Sequence, residues 1–130
     1  MERLRHHTGN PWEARVAYCR ALRAGAHVFV AGTVAVDEAG AVVGRDDLHA
    51  QTRHALRRIE CALHAVGARM QDVVRTRTFV TDIARFDEFA RAHREVFAGI
   101  DPVATCVEVR ALVLPELLVE IEVDAIVDLS

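Results

Sequence analysis

DPVATCVEVRALVLPELLVEIEVD, residues 101–124, decides the fold. It reads as two apolar strands, 104–112 and 118–127, joined across Pro115. Cys106, Glu108, Glu120 and Glu122 interrupt runs that are otherwise Val, Ile and Leu. A carboxylate is costly to bury without a partner, so these positions need a reason. Side chains alternate faces along a strand, which puts Glu120 and Glu122 on one face and Val119, Ile121 and Val123 on the other. One face is built for a core. The other suits charge, water, a ligand or another subunit.

Upstream, residues 1–14 read as irregular, with Gly9, Asn10 and Pro11 as breakers. Residues 15–23 read as a strand, Ala24-Gly25 as a turn, 27–36 as a second strand and 41–43 as a short third one. From Asp47 to Val66 the period becomes helical, with Asp46 or Asp47 as N-cap and Gly67 as the stop. A strand over 73–81 follows. A second helix over 83–97 then sets Phe86, Phe89, Ala90, His93, Val96 and Phe97 on one face, and Gly99 ends it. The order is βββαβαββ, an α+β fold with one sheet and both helices on one face. Strands 27–36, 104–112 and 118–127 are apolar on both sides, so the uncovered face calls for burial by a second copy of the chain.

The 130 residues suit one domain, 1–130, and 52% of them are apolar. The net charge of −3 and the scattered arginines give no basic stripe, so no nucleic-acid partner is expected. No run is apolar enough to span a bilayer or to serve as a signal peptide, and a cytoplasmic location is expected. Three cysteines without a CxxC pair read as free thiols. The seven histidines show no metal-ligand spacing, so neither a metal nor a cofactor is expected.

An ordered set of segments resembles the Rid proteins, the YjgF-like reactive intermediate deaminases often labelled L-PSP endoribonucleases. The segments are VAYCRALRAG, FVAGT leading into DEAGAVVG, DLHAQT, ECALHAVGA, DVVRTRTFVTD, FDEFA, DPVATCVEV and LVEIE. They cover the chain from about Trp12 to Val127. The resemblance implies a chorismate-mutase-like subunit, a homotrimer, and small-molecule clefts between subunits in which imines or enamines are hydrolysed to a carbonyl compound and ammonia.

By the same resemblance Glu120 is the catalytic carboxylate that positions the attacking water. Tyr18, Gly32 and Cys106 match cleft residues, while His93 stands where an Asn is usual and Ala31 where a Ser is usual. The substrate-holding Arg of the family falls at Ala104 here. The water-handling end is therefore present, and the carboxylate clamp is not. Arg20, two residues past Tyr18 on the same strand face, is the first candidate to replace it, and Arg77 is a weaker one. Arg110 lies about 20 Å from Ala104 along an extended strand, too far to serve. Three functions follow: an imine deaminase that does not rely on the clamp, a non-catalytic small-molecule-binding trimer, and an endoribonuclease.

Overall fold

In the computed structural model, which describes residues 2–129, six strands form one sheet in the order β1-β2-β3-β6-β4-β5. They are β1 (Arg3–His6), β2 (Ala21–Ala24), β3 (His27–Val34), β4 (Val73–Val80), β5 (Val103–Glu108) and β6 (Val119–Ile126). The helices are α1 (Pro11–Val16), α2 (Leu48–Ala65) and α3 (Phe86–Phe97). β4 and β5 run parallel, and every other neighbouring pair is antiparallel.

The expected α+β architecture is present, with the two long helices on one face of the sheet. α2 buries Leu48, Thr52, Ala55, Leu56, Ile59, Ala62 and Leu63. That helical spacing lays a single stripe against Val28, Val30, Ile121 and Val123 of the sheet. Asp47 is the N-cap, accepting a 2.9 Å hydrogen bond from the Ala50 amide. Gly67 follows the helix with φ +80°, a conformation open to glycine at little cost. α3 buries Phe89, Ala92 and Phe97, whereas Phe86 is exposed and residues 83–85 form a separate 3₁₀ turn.

The N-terminal third departs from the sequence reading. Residues 15–23 are not one strand, because Asn10 and Pro11 start a helix. The Asn10 side chain accepts a 2.9 Å hydrogen bond from the Trp12 amide, and Pro11 has no N–H to waste in the first turn. α1 ends at Ala17 in the left-handed conformation (φ 70°, ψ 60°), and strand pairing resumes only at Ala21. Residues 3–6, read as irregular, form the exposed edge strand β1; edge position and alternating charge hide it from a hydrophobic pattern. Residues 41–43 contribute one isolated bridge, Val36–Val42, and no strand. Asp37 instead organises a turn there, its carboxylate accepting from the amides of Ala39 and Ala41.

Two features set the surroundings of Glu120. Val30 pairs with Val123 and Thr33 with Ile121, so Ala31 and Gly32 together oppose a single residue of β6 in a β-bulge. The buried Gln51 side chain, in turn, ties down the loop before β6. Its amide nitrogen donates to the carbonyls of Gly44 (3.2 Å) and Glu116 (3.0 Å), and its oxygen accepts from the Leu118 amide (2.8 Å). A buried amide with these partners satisfied fixes the entry into β6 two residues before Glu120. Among the described residues, no helix is long and apolar enough to cross a membrane.

Candidate functional site

β6 alternates buried and half-buried residues, with Val119, Ile121, Val123 and Ala125 on the helix side. Glu120, Glu122 and Asp124 therefore stand on the open face. Arg77 of β4 answers the last two at 3.2 and 3.4 Å, which commits its charge within the sheet. Glu120 has no such contact among the described residues. It lies against Gly32 in the bulge of β3, where a methyl group in place of the glycine hydrogen would overlap its carboxylate. Only glycine lets the carboxylate approach the strand this closely.

Arg20 reaches the same place from the segment between α1 and β2. It is 6% exposed, and its guanidinium donates a 2.8 Å hydrogen bond to the Gly32 carbonyl. The Tyr18 ring lies 5.3 Å from that guanidinium, within cation–π range. The Nε of Arg20 is enclosed without a partner among the described residues. Arg58 of α2 donates a 2.6 Å bond to the Val34 carbonyl, so two guanidiniums cap carbonyls two residues apart on β3. Sequence reading missed Arg58, which a helical pattern places among the exposed charges of α2. Burial, reinforced by the like charge of Arg20, lowers its affinity for its proton.

Burial lifts the Glu120 carboxyl above the ordinary carboxylate range. Arg20 opposes the rise and Glu122 adds to it. A carboxyl raised by desolvation and facing an open surface can take a proton from water, which is what a general base requires.

Tyr18, Arg20, Gly32 and Glu120 thus come together, but Cys106 and His93 do not join them. Through β4, Cys106 aligns with Thr78 and then Ile121, whereas Glu120 aligns with Phe79 and then Val107. The two residues occupy opposite faces of the sheet. Cys106 packs against the core, and burial raises its thiol, which disfavours a nucleophilic thiolate. His93 lies between the rings of Phe89 (5.3 Å) and Phe97 (4.6 Å), with Nε2 3.0 Å from the Thr76 hydroxyl. Burial lowers its pKa. Ala104 is exposed on β5, a strand with one neighbour in the sheet.

Beside Tyr18 opens a cavity of about 720 Å³, walled by α1, the turn after it and Ala31. Its inner wall is braced by Glu13, which is 4% exposed. The Glu13 carboxylate accepts hydrogen bonds from the Thr8 amide (3.0 Å) and the Thr8 hydroxyl, with His7 Nδ1 at 3.6 Å. The sequence singles out Trp12-Glu13 as an aromatic–acid pair at the cleft rim but does not show that Glu13 is buried. The only legible sign of that burial is a carboxylate one turn into a helix that the pattern did not reveal.

Comparison with known proteins agrees with this architecture. The family model for endoribonuclease L-PSP matches residues 8–127. The uncharacterized protein SCO2049 of Streptomyces coelicolor is 34% identical over 118 residues, covering 91% of this chain and 87% of its own length. Among solved structures, Rv2704 of Mycobacterium tuberculosis, a member of the YjgF/YER057c/UK114 family, superposes with a TM-score of 0.89. It is 49% identical, and the match covers 97% of this chain and 100% of that one. YyfA of Yersinia pestis, from the Rid protein family, gives a TM-score of 0.85 at 30% identity, over 97% and 100% of the two chains. By sequence and by fold, the chain belongs to the endoribonuclease L-PSP family, the YjgF or Rid proteins.

Proposed function

We propose that the protein hydrolyses a reactive imine to a carbonyl compound and ammonia, with Glu120 as the general base. One observation carries the reading: Glu120 is a desolvated carboxyl held against Gly32 without an ion pair among the described residues, while the neighbouring Glu122 is ion-paired. In the reaction, water attacks the imine carbon as Glu120 takes one of its protons, and the C=N electron pair moves to nitrogen. Glu120 returns that proton to the nitrogen, giving the carbinolamine. This then collapses as Glu120 takes the hydroxyl proton and passes it to nitrogen: the C–N bond breaks, a C=O bond forms and ammonia leaves. Atoms balance as R₂C=NH + H₂O → R₂C=O + NH₃, with no oxidant or reductant.

A homotrimer would complete the cleft. Cys106 and Glu120 lie on opposite faces of one sheet, so a neighbouring copy is what would bring the β5 edge to the Glu120 face, as the family resemblance implies. Exposed apolar residues at Phe29, Val74, Val103 and Ile126 favour that burial. The three free thiols suit a reducing cytoplasm.

The test generates imines in situ, with a carboxylate from an amino-acid oxidase and without one from an amine oxidase. Loss of imine and release of ammonia are followed with wild type and Ala104→Arg. Faster decay of either imine than in buffer supports the reading. Background decay of both with wild type, and activity in Ala104→Arg alone, would leave a binding cleft without native turnover. An RNA arm tests the ribonuclease implied by the family's name: genuine phosphate contact weakens steeply with salt.

A further inference from the structure

The cavity beside Tyr18 is mostly hydrocarbon. Pro11, Ala14, Ala17 and Ala31 form much of its wall, together with Tyr18 and Cys19. Its polar groups are largely committed. Glu13 is held by Thr8 and His7, and the Asn10 side chain caps α1. Arg5 and His7 stand exposed at the mouth. The space, about 720 Å³, lies open to solvent, with Pro11, Ala14 and Ala17 exposed along it, and greatly exceeds the need of a methyl or ethyl group. Three alanines keep that space open.

The cavity also adjoins the Glu120 site. Ala31 precedes Gly32 in the bulge, and Tyr18 borders the cavity while its ring lies beside the Arg20 guanidinium. An imine carbon held next to Glu120 can project its substituent across Ala31 into the space beside Tyr18. We infer that the site takes imines bearing a bulky apolar substituent, an arylalkyl group above all, and that Ala14 and Ala31 set this specificity by their small size. The inference rests on the imine-hydrolase reading and adds its substrate class. Burying a phenyl group there corresponds to a preference of roughly 10- to 100-fold over a small alkyl group.

Two readouts test it. The first is the ratio of kcat/KM for the imine of 2-phenylethylamine to that of ethylamine, both made in situ by an amine oxidase. The second needs no turnover. It is the affinity for phenylacetone against that for acetone, measured by calorimetry.

Both ratios should favour the aromatic compound by roughly 10-fold or more in wild type. They should fall toward one in Ala14→Leu, where the larger side chain borders the open groove and leaves the buried core untouched, and in Ala31→Val. Turnover of both imines at equal rates would overturn this inference and leave the hydrolase reading standing. Selective phenylacetone binding without turnover of either imine would sink the hydrolase reading and keep the cavity as an aryl-binding site. Equal affinity for the two ketones, or ratios unmoved by Ala14→Leu and Ala31→Val, would overturn the assignment of the cavity itself.

Discussion

The carboxylate of Glu120 rests on the bare Cα of Gly32, the residue whose carbonyl accepts a 2.8 Å hydrogen bond from Arg20. A bulge in β3, a carboxyl from β6 and a guanidinium from the segment before β2 meet at one glycine. The proposed chemistry depends on that meeting.

Gly32→Ala should therefore disable the site without unfolding the protein. The new methyl group collides with the far end of a flexible side chain, so Glu120 swings away and the backbone stays. A displacement of about 1 Å in a catalytic group costs on the order of 100-fold in rate. Imine turnover and thermal melting, measured on the same preparation, separate the two effects. A variant with wild-type turnover would mean that Glu120 does not act from this position.

Arg20→Gln removes both the bond to Gly32 and the cation that restrains the rise of the Glu120 carboxyl. Losing a buried charged hydrogen bond costs about 2 kcal/mol. The Glu120 titration should move further upward, read by NMR on ¹³C-labelled glutamate carboxyls with Glu120→Gln as the assignment control. An unchanged midpoint would show that Arg20 braces the bulge alone.

Glu120 carries a stability cost with a defined sign. Its carboxyl binds a proton more tightly in the folded state than in the unfolded one. Its contribution to stability is present below the ordinary carboxylate range and is lost as pH rises through the raised value. Above that window Glu120→Gln should be at least as stable as wild type in urea, and at low pH the advantage should vanish. A Glu120→Gln protein that is less stable at neutral pH would indicate a structural partner for the carboxylate.

His93 behaves oppositely. Burial between Phe89 and Phe97 lowers its pKa, so the folded state favours the neutral ring. The associated stability is present above the ordinary histidine range and is lost as pH falls through the lowered value. Replacing it with Gln should flatten the acid side of the urea-midpoint profile. An identical acid limb in both proteins would show that another group controls it.

The legibility of the sequence depends on how each element declares itself. α2 and β6 announce themselves by period, since each faces the core along one stripe. The face of Glu120 could be read from parity alone. The start of α1 could not, because Asn10 and Pro11 serve equally as loop breakers and as a helix cap. Missing α1 hid the cavity, the burial of Glu13 and the left-handed turn at Ala17 that delivers Tyr18. Arg58 was invisible for another reason. A charge on a helix reads as solvated until the tertiary fold puts a β-strand carbonyl within its reach.

The most direct test of the central claim is the pH dependence of kcat/KM for an amine-oxidase-generated imine, in wild type and Glu120→Gln. The account predicts wild-type turnover with an acidic limb above the ordinary carboxylate range, and decay at the buffer rate in Glu120→Gln at every pH. Equal rates in the two proteins would contradict it and remove Glu120 from the chemistry.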